Sequence, residues 1–245
     1  MAFYSISGGG EAKNCTSYFA RMYQVRYLSG IVAGAQSKTG VLGYVASWPM
    51  PETNRAINAY TLGAQVSNPD VRVIVRFTGS WDNEEEEKNS VYLLAERGAD
   101  VITYHEDKPY AIEAAEELGL YSTGFDAVYQ DYSDKFLTAA LFNWSVVYEK
   151  ILVDYLSGRA NFSKSYWLDI SEEAVLLYTY SPLVKTPTRA LVSGEKGRIS
   201  GKNDVFSGEI RDNAGILRCE RDECISDEEL FNGMKWLAEG VEVYE

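Results

Sequence analysis

The sequence contains few of the side chains that hold metal ions or carry out redox chemistry. It has three cysteines and one histidine in 245 residues, and it contains no Cys-x-x-Cys pair. A structural zinc site takes four such ligands, so neither a metal centre nor a redox site is expected. Cys219 and Cys224 either close a small loop as a disulfide or remain free thiols on a polar turn.

Signatures of cofactor binding and of nucleophilic catalysis are also missing. There is no Gly-x-Gly-x-x-Gly fingerprint, no Walker-type phosphate loop and no Gly-x-Ser-x-Gly turn. The glycine-rich stretch SGGGEAKN, residues 7–14, follows a predicted strand but lacks the spacing that opens a helix onto a phosphate. We therefore expect no cofactor and no catalytic residues, and we do not expect an enzyme.

Charge and hydropathy argue against two further kinds of partner. The net charge is −13 and lysines and arginines form no run, so neither nucleic acid nor an anionic membrane is expected as a partner. No apolar stretch approaches the ~20 residues that span a bilayer. The first residues, MAFYSISGGG, lack the basic segment, the apolar segment and the lipidation cysteine of an export signal. Either the protein is cytoplasmic or its upstream part is absent.

The chain contains enough apolar residues for a core, and its first two thirds alternate strands and helices. Hydrophobic residues make up 46% of it, which suits one or two folded domains. This alternation predicts an α/β fold in which a parallel sheet is covered by helices on both faces. Strands are predicted at 2–7, 41–47, 71–80, 99–106, 120–126 and 136–143, and helices at 16–36, 51–67, 83–98, 108–119 and 144–158.

After residue 160 the alternation stops. Residues 166–183 predict strand pairs, and residues 198–218 predict a hairpin with Asn213–Gly215 in its turn. Residues 226–240 predict a terminal helix, because Ser226 and Glu229 form the pattern of a capping box.

Aromatic and acidic side chains follow the predicted strands. Ligands of open α/β sheets bind at the carboxyl ends of the strands. Aromatic faces stack on a flat polar heterocycle, while carboxylates and amides bond its edges or the hydroxyls of a sugar. A ligand of this kind is therefore expected at this edge of the sheet. The candidate ligand-binding residues are Trp48, Glu52, Trp81, Tyr104, His105, Asp107, Asp126, Phe142, Asn143 and Trp144.

Several of these residues also have a structural interpretation. Trp48, fixed between a strand and the prolines of SWPMPE, either serves as a platform for a ligand or caps the hydrophobic layer. Packing beneath its own helix is the alternative for Trp81, and a hydrogen-bonded loop position is the alternative for His105. Asp126 is also compatible with a turn. For Arg55, about a turn into the following helix, a structural role is favoured.

Segments along the whole chain resemble one protein family. They are YFARMYQVRYLSGIVAG, GYVASWPMPETNRAINAYTLGAQ, GADVITYHEDKPYAIEAAEELG, STGFD, DVFSGEIRDNAG and SDEELFNGMKWLAEGV. They are similar to the basic membrane protein family of ABC-transporter substrate-binding proteins, which includes purine-nucleoside-binding lipoproteins. The resemblance implies the type I periplasmic-binding-protein fold, with two α/β lobes, a hinge and a ligand between the lobes. It also implies a location at the cell surface or in the periplasm.

The resemblance implies roles for particular residues. Asp126, in STGFD, matches the aspartate that takes the ribose or the base edge. Trp48 and Trp81 match turns that line the cleft. Phe142 stands where we would align a lysine of the purine-nucleoside binders, which implies a bare base or a different ligand.

By the same resemblance the chain divides into three parts. Residues 1–39 are expected to be a remnant of the first lobe, its last strand and a hinge-crossing helix. Residues 40–158 are expected to form the complete ligand-binding lobe. Residues 159–245 are expected to return to the first lobe, with a hairpin and a C-terminal helix. The exposed edges of such a remnant would pair with a second copy of the chain, as a homodimer, or with a separate first lobe.

The favoured hypothesis is a solute-binding component of an ABC transporter that recognises a purine nucleoside or nucleobase, complete or as a half-site form, and serves a permease. The alternative is a cytoplasmic nucleoside-sensing or structural paralogue, because no signal peptide is seen. A nucleoside hydrolase that uses His105, Asp107 and Asp126 is less favoured, since the sequence has no aspartate cluster with metal-ligand spacing.

Overall fold

A computed structural model describes residues 1–7, 12–201 and 204–245, so residues 8–11 of the glycine-rich stretch 7–14 lie outside the described residues. None of the described helices is both long and apolar enough to cross a membrane. The strands are β1 Phe3–Ile6, β2 Cys15–Ala20, β3 Val41–Ala46, β4 Arg72–Phe77, β5 Val101–His105, β6 Tyr121–Asp126, β7 Phe136–Phe142, β8 Tyr166–Leu168, β9 Val175–Leu177, β10 Ile210–Arg211, β11 Leu217–Cys219 and β12 Val241–Val243. The helices are α1 Met22–Gln36, α2 Pro51–Ser67, α3 Glu84–Glu96, α4 Tyr110–Glu117, α5 Trp144–Leu156 and α6 Thr186–Ile199.

The larger sheet has seven strands in the order β12-β4-β3-β5-β6-β7-β9. All neighbours are parallel except β9, which runs antiparallel to β7. Every residue of β3 is buried, as expected for a central strand covered on both faces. The predicted α/β fold with a mostly parallel sheet is confirmed.

Helices α1 and α2 pack very closely because glycines face the backbone of the opposite helix. A Cβ atom on Gly30 would overlap the carbonyl oxygen of Tyr60, and a Cβ atom on Gly63 would overlap that of Tyr27. Only glycine allows two backbones to approach so closely. The pair therefore fixes the position of α2, whose first turn lies just after Trp48.

The smaller sheet contains β1, β2 and β8, all parallel. The prediction of one helix over 16–36 is wrong at its start, because Cys15–Ala20 is a strand and the helix begins at Met22. Thr16 and Tyr18 are β-branched or aromatic residues that fit a pleated surface. With β1 on one side and β8 on the other, strand pairing overrides the helical periodicity of this segment.

The chain after residue 159 contributes to both sheets. β8 belongs to the smaller sheet, whereas β9 and β12 form the two edges of the larger one. The prediction that 166–183 forms paired strands is wrong, since β8 and β9 lie in different sheets. The hairpin is confirmed as β10 and β11, with Asn213–Gly215 between them. The sequence analysis did not identify α6. The division of the chain at residues 39 and 158 stays a prediction.

The predicted helix over 226–240 is confirmed at its start, where the hydroxyl of Ser226 accepts from the N–H of Glu229 at 3.2 Å, but it is wrong after Gly233. Helical structure ends at Gly233, and extended chain leads from there into β12. The buried amide of Asn58, on α2, donates to the carbonyl oxygen of Trp236 at 3.0 Å and accepts from the N–H of Ala238 at 2.7 Å. These bonds satisfy extended backbone that a helix would have turned away from α2.

The cysteines of the polar turn are free thiols in the described part of the chain, so the disulfide alternative is not formed there. Cys219 is buried and Cys224 is exposed. Burial raises the pKa of the Cys219 thiol, which makes it a poor nucleophile at neutral pH.

Candidate ligand-binding site at the carboxyl ends of the larger sheet

The carboxyl ends of β3 to β6 lie side by side at one edge of the larger sheet. Ala46, the last residue of β3, pairs with Phe77 of β4 on one side and with His105 of β5 on the other. The loops after these strands therefore begin at the same level, next to one another. We call this edge the rim, and it consists of Trp48, residues 78–82, Asp107 and Asp126.

Trp48 lies on the rim with 48% of its surface exposed. Its indole covers the turn after β4, because a Cβ atom on Gly79 would lie 3.5 Å from the ring. The N–H of Met50 donates to the carbonyl oxygen of Trp48 at 2.8 Å, and α2 begins at Pro51. The indole is thus supported by protein on one face and open to solvent elsewhere, as a stacking platform requires.

Trp81 connects the loop after β4 with the loop after β5. Its carbonyl oxygen accepts a hydrogen bond of 2.8 Å from the N–H of Asp107. Its half-buried indole lies 6.2 Å from the imidazole of His105, between ring centroids. Trp81 therefore packs partly into the molecule while it remains accessible on the rim.

Asp107 and Asp126 form an acidic part of the rim. Both side chains are exposed, and Asp126 ends β6 in a left-handed conformation with φ of 64°. Loss of hydration raises the pKa of Asp126, and the charge of Asp107 raises it further. Exposed carboxylates beside an indole can accept hydrogen bonds from a heterocycle or from sugar hydroxyls. No group of three or more His, Cys, Asp or Glu side chains among the described residues is arranged to hold a metal ion.

Tyr104 and His105 lie beneath the rim rather than on it, with 1% and 3% of their surfaces exposed. The hydroxyl of Tyr104 donates to the carbonyl oxygen of Phe125 at 3.0 Å, and the imidazole of His105 packs on the Phe125 ring at 4.2 Å. Burial lowers the pKa of His105 well below its usual value, and the positive charges of Arg26 and Arg55 lower it further. The imidazole is therefore neutral, and both residues support the rim from inside.

Phe142 and Trp144, at the end of β7, connect the two sheets. Their rings stack with centroids 4.5 Å apart, and both pack against Phe19 of β2, at 5.4 and 6.2 Å. The amide of Asn143 donates to the carbonyl oxygen of Glu173 at 3.0 Å. These three side chains are engaged with the protein itself, so their part in ligand binding stays a prediction.

A cavity of about 280 Å³ lies between β2 and the first turns of α2 and includes Glu52. Burial raises the pKa of the Glu52 carboxyl, and the charge of Arg55 opposes that shift. Arg55 bonds the carbonyl oxygen of Leu230 and lies 5.3 Å from the ring centroid of Trp167 in β8. It thus has the structural role favoured for it, and it also borders the cavity. The apolar walls are Phe19, Met50, Pro51 and Phe231.

Glu106 lies between two candidate residues, but its role was not predicted from the sequence. It is 2% exposed, and one carboxyl oxygen lies 2.8 Å from the hydroxyl of Thr78. Burial raises its pKa to about 8 and that of Glu87, on α3, to about 7. The sequence feature that could have identified Glu106 is an acidic residue placed directly after a strand of apolar residues.

The family model described as "ABC transporter substrate-binding protein PnrA-like", named Bmp, matches residues 1–205. The chain belongs to the Bmp family. The resemblance found in the sequence is therefore confirmed, and the family is one of substrate-binding proteins rather than enzymes.

Two relatives of this Bmp-family protein align with nearly its whole length. A purine-binding protein of Brucella abortus is 32% identical over 246 residues, which cover 99% of this chain and 69% of the relative. A protein of Haloferax volcanii named as an ABC transporter glucose-binding protein is 28% identical over 242 residues, which cover 98% of this chain and 59% of the relative. The chain therefore spans only part of the length of both relatives.

A solved solute-binding protein of an ABC transporter system from Aeropyrum pernix K1 has the same fold. It matches with a TM-score of 0.69 at 19% identity, covering 81% of this chain and 68% of that one. At this level of identity the likeness shows the fold, which agrees with the periplasmic-binding-protein fold implied by the sequence.

Proposed function

We propose that this Bmp-family protein binds a purine base or nucleoside at the rim and serves an ABC transporter permease. The observation that carries the proposal is the half-exposed indole of Trp48 on the same rim as the exposed carboxylates of Asp107 and Asp126. Stacking of aromatic rings contributes about 0.5–1.5 kcal/mol beyond the burial of area. The name of the Brucella relative, a purine-binding protein, supports the same class of ligand.

Asp126 is proposed to accept hydrogen bonds from the ribose or from the edge of the base. Phe142, at the position of the expected lysine, is stacked on Trp144 and donates no hydrogen bond. A ligand with little need for a donor at this point, such as a bare base, is therefore favoured.

We propose that the chain alone binds this ligand weakly. Small-molecule sites usually bury about 70–90% of the ligand surface. Here the larger sheet has seven strands, and the sheet across the cavity has three. The side of the smaller sheet therefore offers few groups to cover a ligand stacked on Trp48. Closure of two lobes about a hinge would add little binding free energy.

Isothermal titration calorimetry with adenine, adenosine, guanosine, inosine and glucose tests the ligand class. We expect weak binding of at least one purine and none of glucose. Trp48→Ala should raise the Kd about tenfold, because a loss near 1.4 kcal/mol corresponds to that factor. Tyr155→Ala is the control, since Tyr155 on α5 is also 48% exposed. Binding of glucose without purines would contradict the proposal, and release of free base from a nucleoside, seen by chromatography, would indicate a hydrolase.

The proposal includes a location at the cell surface or in the periplasm, where an importer collects its solute. Fractionation of cells followed by antibody detection tests it. Recovery in the membrane or periplasmic fraction supports a transport role, whereas recovery in the cytoplasm alone would favour a nucleoside-sensing paralogue.

A further inference from the structure

Glu106 is a buried acid that follows β5 directly, and the described residues place no opposite charge beside it. The charges that act on it are those of Glu87, on α3, and of the neighbouring Asp107, both acidic. An ionised carboxylate in such a place loses its hydration without gaining a cation. The neutral acid is therefore favoured at neutral pH, in keeping with a pKa raised to about 8 by burial.

Among the described residues, the titratable groups on the neighbouring strands give this acid no cation partner. The charge of Glu106 acts on Tyr44 of β3, whose pKa is raised by burial and lowered by the guanidinium of Arg26. Arg26 itself donates to the hydroxyl of Thr103 at 3.1 Å. His105, the preceding residue, is buried and neutral. Beyond Glu87 lie Asp82, in the loop before α3, and Tyr110 at the start of α4.

The cations on the packed elements are bonded to other partners. Nε of Arg76, in β4, donates to the hydroxyl of Ser90 at 3.3 Å. The ammonium group of Lys88, on α3, lies 2.8 Å from the carboxylate of Glu84. Ionisation of Glu106 would therefore add a negative charge to an acidic surrounding.

The hydroxyl of Thr78 would lower the pKa of Glu106 by donating to the ionised carboxylate, but a second acceptor competes for its single hydrogen. Its oxygen lies 2.8 Å from a carboxyl oxygen of Glu106 and 3.0 Å from the carbonyl oxygen of Ser80. A hydroxyl has one hydrogen, so Thr78 cannot donate to both. When Glu106 carries a proton, it donates to Thr78, Thr78 donates to Ser80, and both short contacts are hydrogen bonds.

We propose that Glu106 is a positioning residue that holds its proton at neutral pH and thereby fixes the turn from Thr78 to Ser80. Ser80 directly precedes Trp81, and Asp107, next to Glu106, bonds the carbonyl oxygen of Trp81. Loss of the proton removes one of these two hydrogen bonds and places a negative charge under the rim. Trp81 then loses the position in which it contacts a ligand.

Urea unfolding at pH 6 and pH 9 tests the proton in the free protein. Glu106→Gln keeps the shape and an N–H donor but cannot ionise. In the folded protein the pKa of Glu106 is raised above the ordinary 4.5. The stability that the protonated acid contributes is therefore present at low pH and is lost as the pH rises towards 8. Between the two conditions, ionisation of Glu106 should raise the unfolding equilibrium constant roughly a hundredfold.

In Glu106→Gln the unfolding equilibrium constant should rise much less between pH 6 and pH 9, because glutamine does not ionise. Glu85→Gln, an exposed acid in the first turn of α3, is the matched control and should behave as the wild type. An equal increase in the wild type and in Glu106→Gln would overturn the proposal.

Titration with adenosine at pH 7 and pH 9 tests the positioning role, which rests on the proposed function. The Kd of the wild type should rise by up to about tenfold between these conditions, because the protonated fraction falls about tenfold around a pKa of about 8, and that of Glu106→Gln should stay constant. Equal affinity of the wild type at both pH values overturns the positioning role. Absence of purine binding at either pH counts against the proposed function, while the unfolding experiment still decides whether Glu106 is protonated.

Discussion

The N–H of Asp107 donates to the carbonyl oxygen of Trp81 across 2.8 Å. This bond joins the loops that follow two strands, β4 and β5, which lie on either side of β3. An aromatic and an acidic part of the rim are thereby held in one arrangement. A ligand that stacks on the indole consequently meets the carboxylate at a fixed distance.

Gly79→Ala should lower the stability, and relief of its backbone strain should shift the turn that supports Trp48 and thereby weaken ligand binding. Gly79 has φ of 71°, and a Cβ atom there would lie 3.5 Å from the Trp48 ring. The left-handed conformation costs an alanine about 1–2 kcal/mol, measured as the free energy of unfolding in urea. Gly98→Ala, with φ of 90° and nothing within 4 Å of its Cβ, should show the same loss of stability but unchanged ligand affinity. Equal affinities in the two variants would show that Trp48 does not depend on this turn.

Gly63→Ala should destabilise the protein by about 1–3 kcal/mol, because the new methyl group overlaps the backbone of α1 and forces the helices apart. Gly194→Ala is the matched control, since Gly194 is an exposed glycine in α6 with nothing within 4 Å of its Cβ. That substitution should raise the free energy of unfolding by up to about 1 kcal/mol. Thermal unfolding of both variants measures the difference, and a stable Gly63→Ala protein would mean that α1 and α2 are not in contact.

Asn58→Ala should lower the free energy of unfolding by about 1–3 kcal/mol, because buried backbone groups of Trp236 and Ala238 lose their partner. Gln130→Ala, an exposed amide in the loop after β6, should change it very little. Hydrogen exchange adds a local measure, since the amide of Ala238 should exchange faster in Asn58→Ala. Unchanged exchange there would contradict the role of Asn58 in holding the extended chain.

His105 should remain neutral in the folded protein at a pH where a free histidine is charged. Its folded pKa is lowered, so the unfolded chain takes up the proton more readily, and stability is lost as the pH falls below about 6.5. The chain has one histidine, so its ring proton signals in NMR are unambiguous. We expect their chemical shifts to stay constant from pH 7.5 to 5.5, and a titration near 6.5 would show that the ring is exposed.

The larger sheet could be predicted because its strands are continuous apolar runs separated by helical segments, as in the fully buried VLGYVA of β3. The errors lie where a distant partner determines the local structure. Cys15–Ala20 has helical periodicity but is a strand between β1 and β8. The segment after Gly233 has a helical pattern but is held extended by Asn58. Both β8 and Asn58 are far in sequence from the segments that they hold.

The candidate site was predictable as an edge of the sheet but not residue by residue. Trp48, Asp107 and Asp126 follow strands and are exposed on the rim. Tyr104 and His105, the last residues of β5, are still covered by the neighbouring elements, and a pattern of strand ends does not show where that cover stops. Which of the candidates contacts a ligand stays a prediction.

β12 lies beside β4 although its Val241 pairs with Val73, which lies 168 positions earlier in the sequence. During synthesis on the ribosome, the outer edge of β4 therefore stays without its neighbour until residue 243 has left the exit tunnel. An unpaired edge of this kind invites association between nascent chains. A polypeptide that stops before β12 would contain every rim residue and yet depend on chaperones or aggregate.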